Sequence, residues 1–382
     1  MSLRPRLGIL TYKPIQYHTP LYRRLTQRQN VQIDVLFLSD SGYRPVIDPG
    51  FGITVGWDID LLSGYQSEFL SNRESSTRYI QMIAALDRWI STNDVVVVHG
   101  YADPWMILAM AICRARRIPY LLRGASHARS QATGIRRCLR HIVARIAVSG
   151  SACGLPVGQL SQDFFLRYGA RRIAFAPNSV EDERFARAPQ IGRSELLARW
   201  NLDDTRPVIL FVGKLIPRKR PLDLSAALQR IPHPVTTLFV GDGPLSDEVR
   251  ATLNPGNGVV TGFVNQSELP AYYHAADILV LPSEVEVWGL VVNEAMAAGV
   301  FPVVSDSVGA APDLVRGVGE IYPSGDVTGL VESLSQALSL IKDPETRGKM
   351  RHHAARYSLD RTAVGYEKAA HAVTKGGAML ET

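Results

Sequence analysis

The sequence predicts an α/β protein of two doubly wound units, each a parallel sheet with helices on both faces. Three observations carry this reading. Short continuous runs of Val, Ile and Leu recur from end to end, as at 95–98 and 208–212; strands buried on both faces lose the apolar–polar alternation of a half-exposed sheet. Amphipathic helical stretches separate the runs, which is the pattern of parallel crossovers. The pattern restarts near Arg206, and 382 residues exceed what one compact core usually holds.

Strands are expected at 7–10, 31–38, 95–98, 120–122 and 173–176 in the first unit. In the second they are expected at 208–212, 237–240, 259–262, 278–281 and 301–304. The segment 177–204 is richer in charge, carries no clear strand and reads as the connection. The expected domains are therefore 1–176 and 177–359, with a last helix at about 360–374 returning to the first and a loose tail at 375–382. Ligands of open α/β sheets bind at the carboxyl ends of the strands. Two such Rossmann-like units facing a cleft would hold a donor on one wall and an acceptor on the other.

The composition, 46% hydrophobic and 20% charged, excludes a largely disordered chain. No apolar run reaches the ~18–20 residues of a membrane span, and the first apolar stretch, 7–10, is too short for a signal-peptide core. Cys113, Cys138 and Cys153 form no Cys-x-x-Cys pair, which argues against a disulfide framework or a zinc site and fits a cytoplasmic location. The net charge of +6 suits anionic partners without selecting one.

The most informative stretch runs from Leu281 to Gly299. A strand ends at Leu281, a loop follows, a helix begins near Gly289, and Gly299 caps it. The free amides of a helix N-terminus, here those of Gly289, Leu290 and Val291, suit a diphosphate. Glu286 lies in the loop and Glu294 more than one turn into the helix. Carboxylates touching phosphate would repel it, so the pair is read as accepting hydroxyls, one on a sugar and one on a ribose.

Glu286 and Glu294, with Trp288-Gly289-Leu290 between them and Ala295-Met296-Ala297-Ala298-Gly299 after, resemble the signature of glycosyltransferase family 4. The resemblance implies a GT-B fold and a retaining transfer from a nucleotide diphosphate sugar of UDP or GDP type. Glu286 would contact the donor sugar, Glu294 the ribose, and the intervening amides the diphosphate. The run from Phe211 to Lys219 resembles the family's strand, Gly-Arg-Leu and downstream Lys, with Gly213 and Lys219 in place and Lys214 where Arg is usual. Lysine offers a point charge rather than a planar fork. Thr261-Gly262-Phe263-Val264 resembles the stretch whose backbone meets the base. The segment 239–245, with Gly241-Asp242-Gly243, reads as structural, because Pro244 and Ser246 break the dinucleotide fingerprint.

The first half matches less firmly. The loop 12–19 lacks the glycine pair of many relatives, and Ala125 stands for an acid after Arg123-Gly124. His127 and His99 each follow an expected strand; His127 is carried as a catalytic candidate beside Glu286, and His18, His99 and Arg123 as acceptor-side candidates. Asp58-Ile59-Asp60 has the form of a metal-holding acid pair but follows Gly56-Trp57 rather than a buried strand, so no metal is expected. Lys214, Lys219 and the helix amides would then carry the leaving group's charge, and no cofactor beyond the sugar nucleotide is expected. A helix over 135–146 sets Ile135, Leu139, Ile142, Val143 and Ile146 on one side and arginines largely elsewhere. Contact with an anionic membrane is weighed for it, and a solvated basic face on a packed helix is preferred.

An epimerase or a phosphorylase on the same fold is the rival enzyme. From another class, a basic nucleic-acid-binding protein should show an aromatic and basic face or a known module, and neither is found.

Overall fold

The computed structural model describes residues 4–48, 50, 52–70, 79–125 and 134–374. The chain divides into two compact units: residues 1–45, 60–178 and 359–382 form one, and residues 46–59 and 179–358 the other.

In the first unit six strands, β1 (Arg6–Thr11), β2 (Gln32–Phe37), β5 (Ser67–Phe69), β6 (Val95–His99), β7 (Tyr120–Gly124) and β8 (Cys153–Pro156), form one sheet in the order β5-β2-β1-β6-β7-β8. A short antiparallel hairpin, β3 (Val46–Asp48) and β4 (Ile53–Val55), belongs to the second unit. The second sheet is built of β9 (Val208–Val212), β10 (Thr236–Val240), β11 (Gly258–Gly262), β12 (Ile278–Leu281), β13 (Phe301–Ser305) and β14 (Glu320–Tyr322), in the order β11-β10-β9-β12-β13-β14. Every neighbouring pair in both six-stranded sheets is parallel. Counted within each unit, both follow the doubly wound order, and the direction of winding reverses between β1 and β6 and between β9 and β12.

Burial on both faces explains the unbroken apolar runs. Along β1, Leu7 and Ile9 enter one core cluster with Tyr22 and Tyr366, while Leu10 enters another with Trp89, Met106 and Phe165. Asp103 starts the helix Pro104–Arg116 by accepting a hydrogen bond from the Trp105 amide at 2.8 Å, with Pro104 in the first turn. Asp326 caps Val327–Leu340 through the Gly329 amide in the same way.

The last helix, Leu359–Thr374, inserts Leu359, Ala363, Tyr366, Ala369 and Ala370 into the first unit's core. Its polar side is tied to the helix Thr19–Arg28 and the residues after it: Arg24 donates to Asp360 at 2.7 Å, and Arg28 and Asn30 donate to Glu367 at 2.8 and 3.0 Å.

Several elements differ from expectation. The sixth place in the first sheet belongs to β8 and not to 173–176. That segment runs along the outer edge of β8, where Ala174 and Ala176 donate to Gly154 and Pro156 at 3.0 and 3.1 Å, but it makes only an isolated bridge. The hairpin at 46–55, expected within the first domain, packs within the second unit. The helix Gly134–Ser149 is packed and exposes Arg140 and Arg145, as the preferred reading has it, but its aliphatic row faces outward. Its buried face is Ala144, Ala147 and Val148, held by Tyr120 Oη donating to the Ala147 carbonyl at 2.8 Å. Leu139, Ile142 and Ile146 stand 56%, 55% and 58% exposed.

Candidate active site

The carboxyl ends of β9 and β12 flank the winding reversal of the second sheet, and the chain places its candidate residues there. After β9, Gly213 donates its amide to Val240, and Leu215 to Asp242, both at 2.9 Å, so the loop is bound to the end of β10. The turn Pro217–Lys219 then presents Lys219, whose amide donates to the Ile216 carbonyl at 2.9 Å.

After β12, Ser283 is fully buried and its carbonyl accepts from Ser305 Oγ at 2.5 Å. The Glu284 amide donates to Arg218 at 2.9 Å, lacing the two loops together. Glu286 bridges Val308, and its carbonyl accepts from the Gly309 amide at 2.9 Å. Pinned on both sides, Glu286 forms an ion pair with Lys219 in which the two side chains are 16% and 14% exposed.

Gly289 sits at φ 97°, in the left-handed region, and a Cβ there would meet Leu281 Cδ2 at 3.0 Å and Val308 Cγ1 at 3.1 Å. The helix Leu290–Ala298 begins on it with no side chain capping its first amides. Trp288, 5% exposed, donates its indole N–H to Asn293 at 2.9 Å and closes the turn from the inside.

Glu294 is fully buried. Tyr273 Oη donates to its Oε2 at 2.5 Å, and its Oε1 is buried without a protein partner. Burial pushes the carboxyl up to about 7, against the opposing pull of the Tyr273 hydroxyl and the Arg184 guanidinium.

Lys214 pairs with Asp48 of the hairpin at 2.5 Å. The same segment reaches the residues after β11: Asn265 Nδ2 donates to the Gly56 carbonyl at 2.8 Å, the Ser267 amide donates to Asp58, and the Trp57 and Phe263 rings lie 6.2 Å apart, next to half-buried Val264. Asp58 is thus engaged by Ser267, while Asp60 accepts from the amides of Leu62 and Ser63 at 2.9 and 3.2 Å. Sequence reasoning missed Asp48 and the hairpin. The signal was the dipeptide Pro49-Gly50 between two short β-branched runs of the sequence.

In the first unit, His18, just before the helix Thr19–Arg28, and His99, the last residue of β6, meet edge to face with ring centroids 5.0 Å apart. Burial, with Arg123 adding to it, lowers His18 to about 3. His99 is lowered by burial, by His18 and by Arg123, and its Nε2 lies 3.0 Å from Tyr366 Oη. Arg123 is 5% exposed; it donates to the Ala176 carbonyl at 2.7 Å and to Asn178 Oδ1 at 3.1 Å, and its guanidinium lies 5.3 Å above the Tyr366 ring. The three acceptor-side candidates therefore converge, and Arg123 spends its donors on backbone and Asn178. His127 lies outside the described residues.

Residues 192–357 match the family model described as Glycosyl transferases group 1. The matched residues lie within the second unit. The chain is 30% identical over 184 residues to the sulfoquinovosyl transferase SQD2 of Arabidopsis thaliana, covering 47% of this chain and 35% of that protein. Over 251 residues it is 30% identical to the GDP-mannose-dependent alpha-(1-6)-phosphatidylinositol monomannoside mannosyltransferase of Mycobacterium tuberculosis, covering 60% and 62%. The chain thus matches less than two thirds of the length of these curated relatives. The structure of Anabaena Alr3699/HepE in complex with UDP and glucose superposes with a TM-score of 0.69 at 16% identity, covering 97% of this chain and 100% of that one. That likeness is one of fold, and the two units have the two-domain α/β architecture of the GT-B class.

Proposed function

We propose that the chain transfers a glycosyl group from a nucleoside diphosphate sugar to an acceptor hydroxyl, with retention at the anomeric carbon and without a required metal. The observation that carries the reading is the Lys219–Glu286 pair set beside the uncapped helix start at Gly289, at the winding reversal of the second sheet. A cation, a row of free amides and two carboxylates are the complement of a diphosphate flanked by two polyhydroxylated rings. The group 1 family and the UDP complex of the Anabaena protein support a donor of this class; the GDP-mannose-dependent relative keeps guanine as well as uracil among the candidate bases.

In this reading the amides of Leu290 and Val291 and the Lys219 ammonium receive the diphosphate, which breaks the Lys219–Glu286 pair. Glu286 then accepts from hydroxyls of the transferred sugar, and Glu294 Oε1 accepts from the ribose. Lys214 exchanges Asp48 for phosphate. The bond between the anomeric carbon and the β-phosphate oxygen breaks, the bond to the acceptor oxygen forms on the same face, and the departing phosphate takes the acceptor proton. Stabilisation of the leaving diphosphate by fixed donors lowers the barrier where charge develops. The acceptor is proposed to be recognised through the His18, His99 and Arg123 cluster of the first unit and through His127.

The test separates the two carboxylates, with all assays in EDTA. Glu294→Ala is expected to weaken bare UDP or GDP, measured by calorimetry, by about 1–3 kcal/mol, the range for a hydrogen bond to a charged group left unmade. Glu286→Gln is expected to leave the bare nucleotide nearly unchanged and to lower kcat, because its contact strengthens as positive character develops on the sugar. Equal loss of bare nucleotide in both variants, or activity that EDTA abolishes and Mn²⁺ restores, would overturn the reading.

A further inference from the structure

The helix Gly134–Ser149 carries Leu139, Ile142 and Ile146 on the outside. Leu139, Ile142 and Ile146 stand at spacings of three and four, so they share one face, and each is more than half exposed. The face that packs on the sheet is made of the small residues Ala144, Ala147 and Val148. A core helix would be arranged the other way round, since burying a large aliphatic side chain is favourable. Three branched aliphatics in one exposed row mark a surface that meets something apolar.

Charge identifies the partner. From residue 104 to residue 162 the chain carries nine arginines and no aspartate, glutamate or lysine. Arg140 and Arg145 are exposed on the same helix as the aliphatic row. At the helix's carboxyl end, beside Ser149 and Gly150, lies an open cleft of about 520 Å³ lined by Arg114, Arg117, Arg171 and Arg172, with no carboxylate among the described residues on its walls. An amphipathic helix with an aliphatic ridge, arginine flanks and an adjoining basic cleft is the complement of an anionic bilayer: acyl boundary under the ridge, headgroup phosphates against the guanidinia.

We propose that this face of the first unit docks on the surface of an anionic phospholipid membrane, lying on it without crossing. No helix among the described residues is long and apolar enough to span a bilayer. The assignment does not depend on the catalytic reading.

The experiment is cosedimentation with vesicles of phosphatidylcholine alone and of phosphatidylcholine with phosphatidylglycerol. The full chain is expected to pellet with the anionic vesicles only and to be released by salt. I142S and L139S are expected to reduce binding strongly, and R140E and R145E by about fivefold or more each, the worth of one basic residue near an anionic surface. All four sites are exposed, so the variants should melt with the parent. Cys138, the exposed thiol beside two buried ones, offers a second reading. A polarity-sensitive dye attached there should shift to the blue with anionic vesicles. Binding unchanged in I142S and R145E, equal binding to neutral vesicles, or no binding at all would overturn the proposal. So would a dimer that I142S splits, since the ridge would then be covered by a second copy of the chain.

Discussion

Glu294 is the residue whose environment makes the sharpest claim. A carboxyl with no exposed surface, one hydroxyl donor and one oxygen without a partner is held at about 7 in the folded chain against an ordinary 4.5. Below pH 4.5 it is protonated folded and unfolded and costs nothing. As pH rises from 4.5 towards 7 the unfolded chain ionises first, so stability falls, and above 7 the whole penalty is present, roughly 3 kcal/mol at ~1.36 kcal/mol per unit. Glu294→Gln, which cannot ionise, is therefore expected to be the more stable protein at pH 8 and to lose that advantage at pH 4.5. Urea unfolding of both at the two pH values measures it; parallel curves would show that Glu294 is not strained by burial. The residue's position on a helix after Gly289 was legible in the sequence. Its lack of a second partner was not, because Tyr273 and Arg184 come from elements remote in the chain and only the packed fold sets them beside it.

At the scale of elements, the turn from β12 into the helix Leu290–Ala298 is held by backbone conformation. Gly289 combines a left-handed φ of 97° with neighbours at 3.0 and 3.1 Å, whereas Gly317, at φ 83°, has open space where a Cβ would stand. Gly317→Ala is expected to cost only the left-handed strain, about 1–2 kcal/mol. Gly289→Ala adds the displacement of Leu281 and Val308 and is expected to destabilise further, and to weaken nucleoside diphosphate binding while Gly317→Ala leaves it alone. Thermal melts and calorimetry of the two variants decide this, and equal effects would mean that the helix start is not held in place by packing. The long central strands were readable because runs such as 208–212 are buried on both sides and carry no alternation to confuse them. β5 and β14, three residues each, are too short to show a period. β8 is interrupted by Gly154 and Pro156, residues that strands disfavour, so the apolar segment 173–176 looked the better strand and proved to be its edge. In the helix Gly134–Ser149 the outward turn of the aliphatic row was not legible, because periodicity reports that an apolar face exists and not which way it points.

At the scale of the whole molecule, neither unit is continuous in sequence: the hairpin 46–59 belongs with the second, and the terminal helix with the first. Removing residues 359–382 takes Leu359, Ala363, Tyr366, Ala369 and Ala370 out of the first unit's core and strips Arg28 of Glu367. Large losses from a core cost several kcal/mol each. The shortened chain is expected to lose protection from hydrogen exchange across β1, β2 and the helix Thr19–Arg28, while β9 and β12 keep theirs and nucleoside diphosphate still raises the melting temperature of the second unit. Uniform loss of protection in both units would show that the terminal helix supports the entire chain. The placement of that helix also orders events during synthesis. Domains usually fold from the amino end as they emerge, at about 5–20 residues per second. Here the first unit leaves the ribosome without the helix that closes its core and waits for the second unit to be translated, on the order of 10–40 s at that pace. The part of the chain made first is finished last, and through that interval the apolar surface around Tyr22 and Leu25 stays open to chaperones and to aggregation.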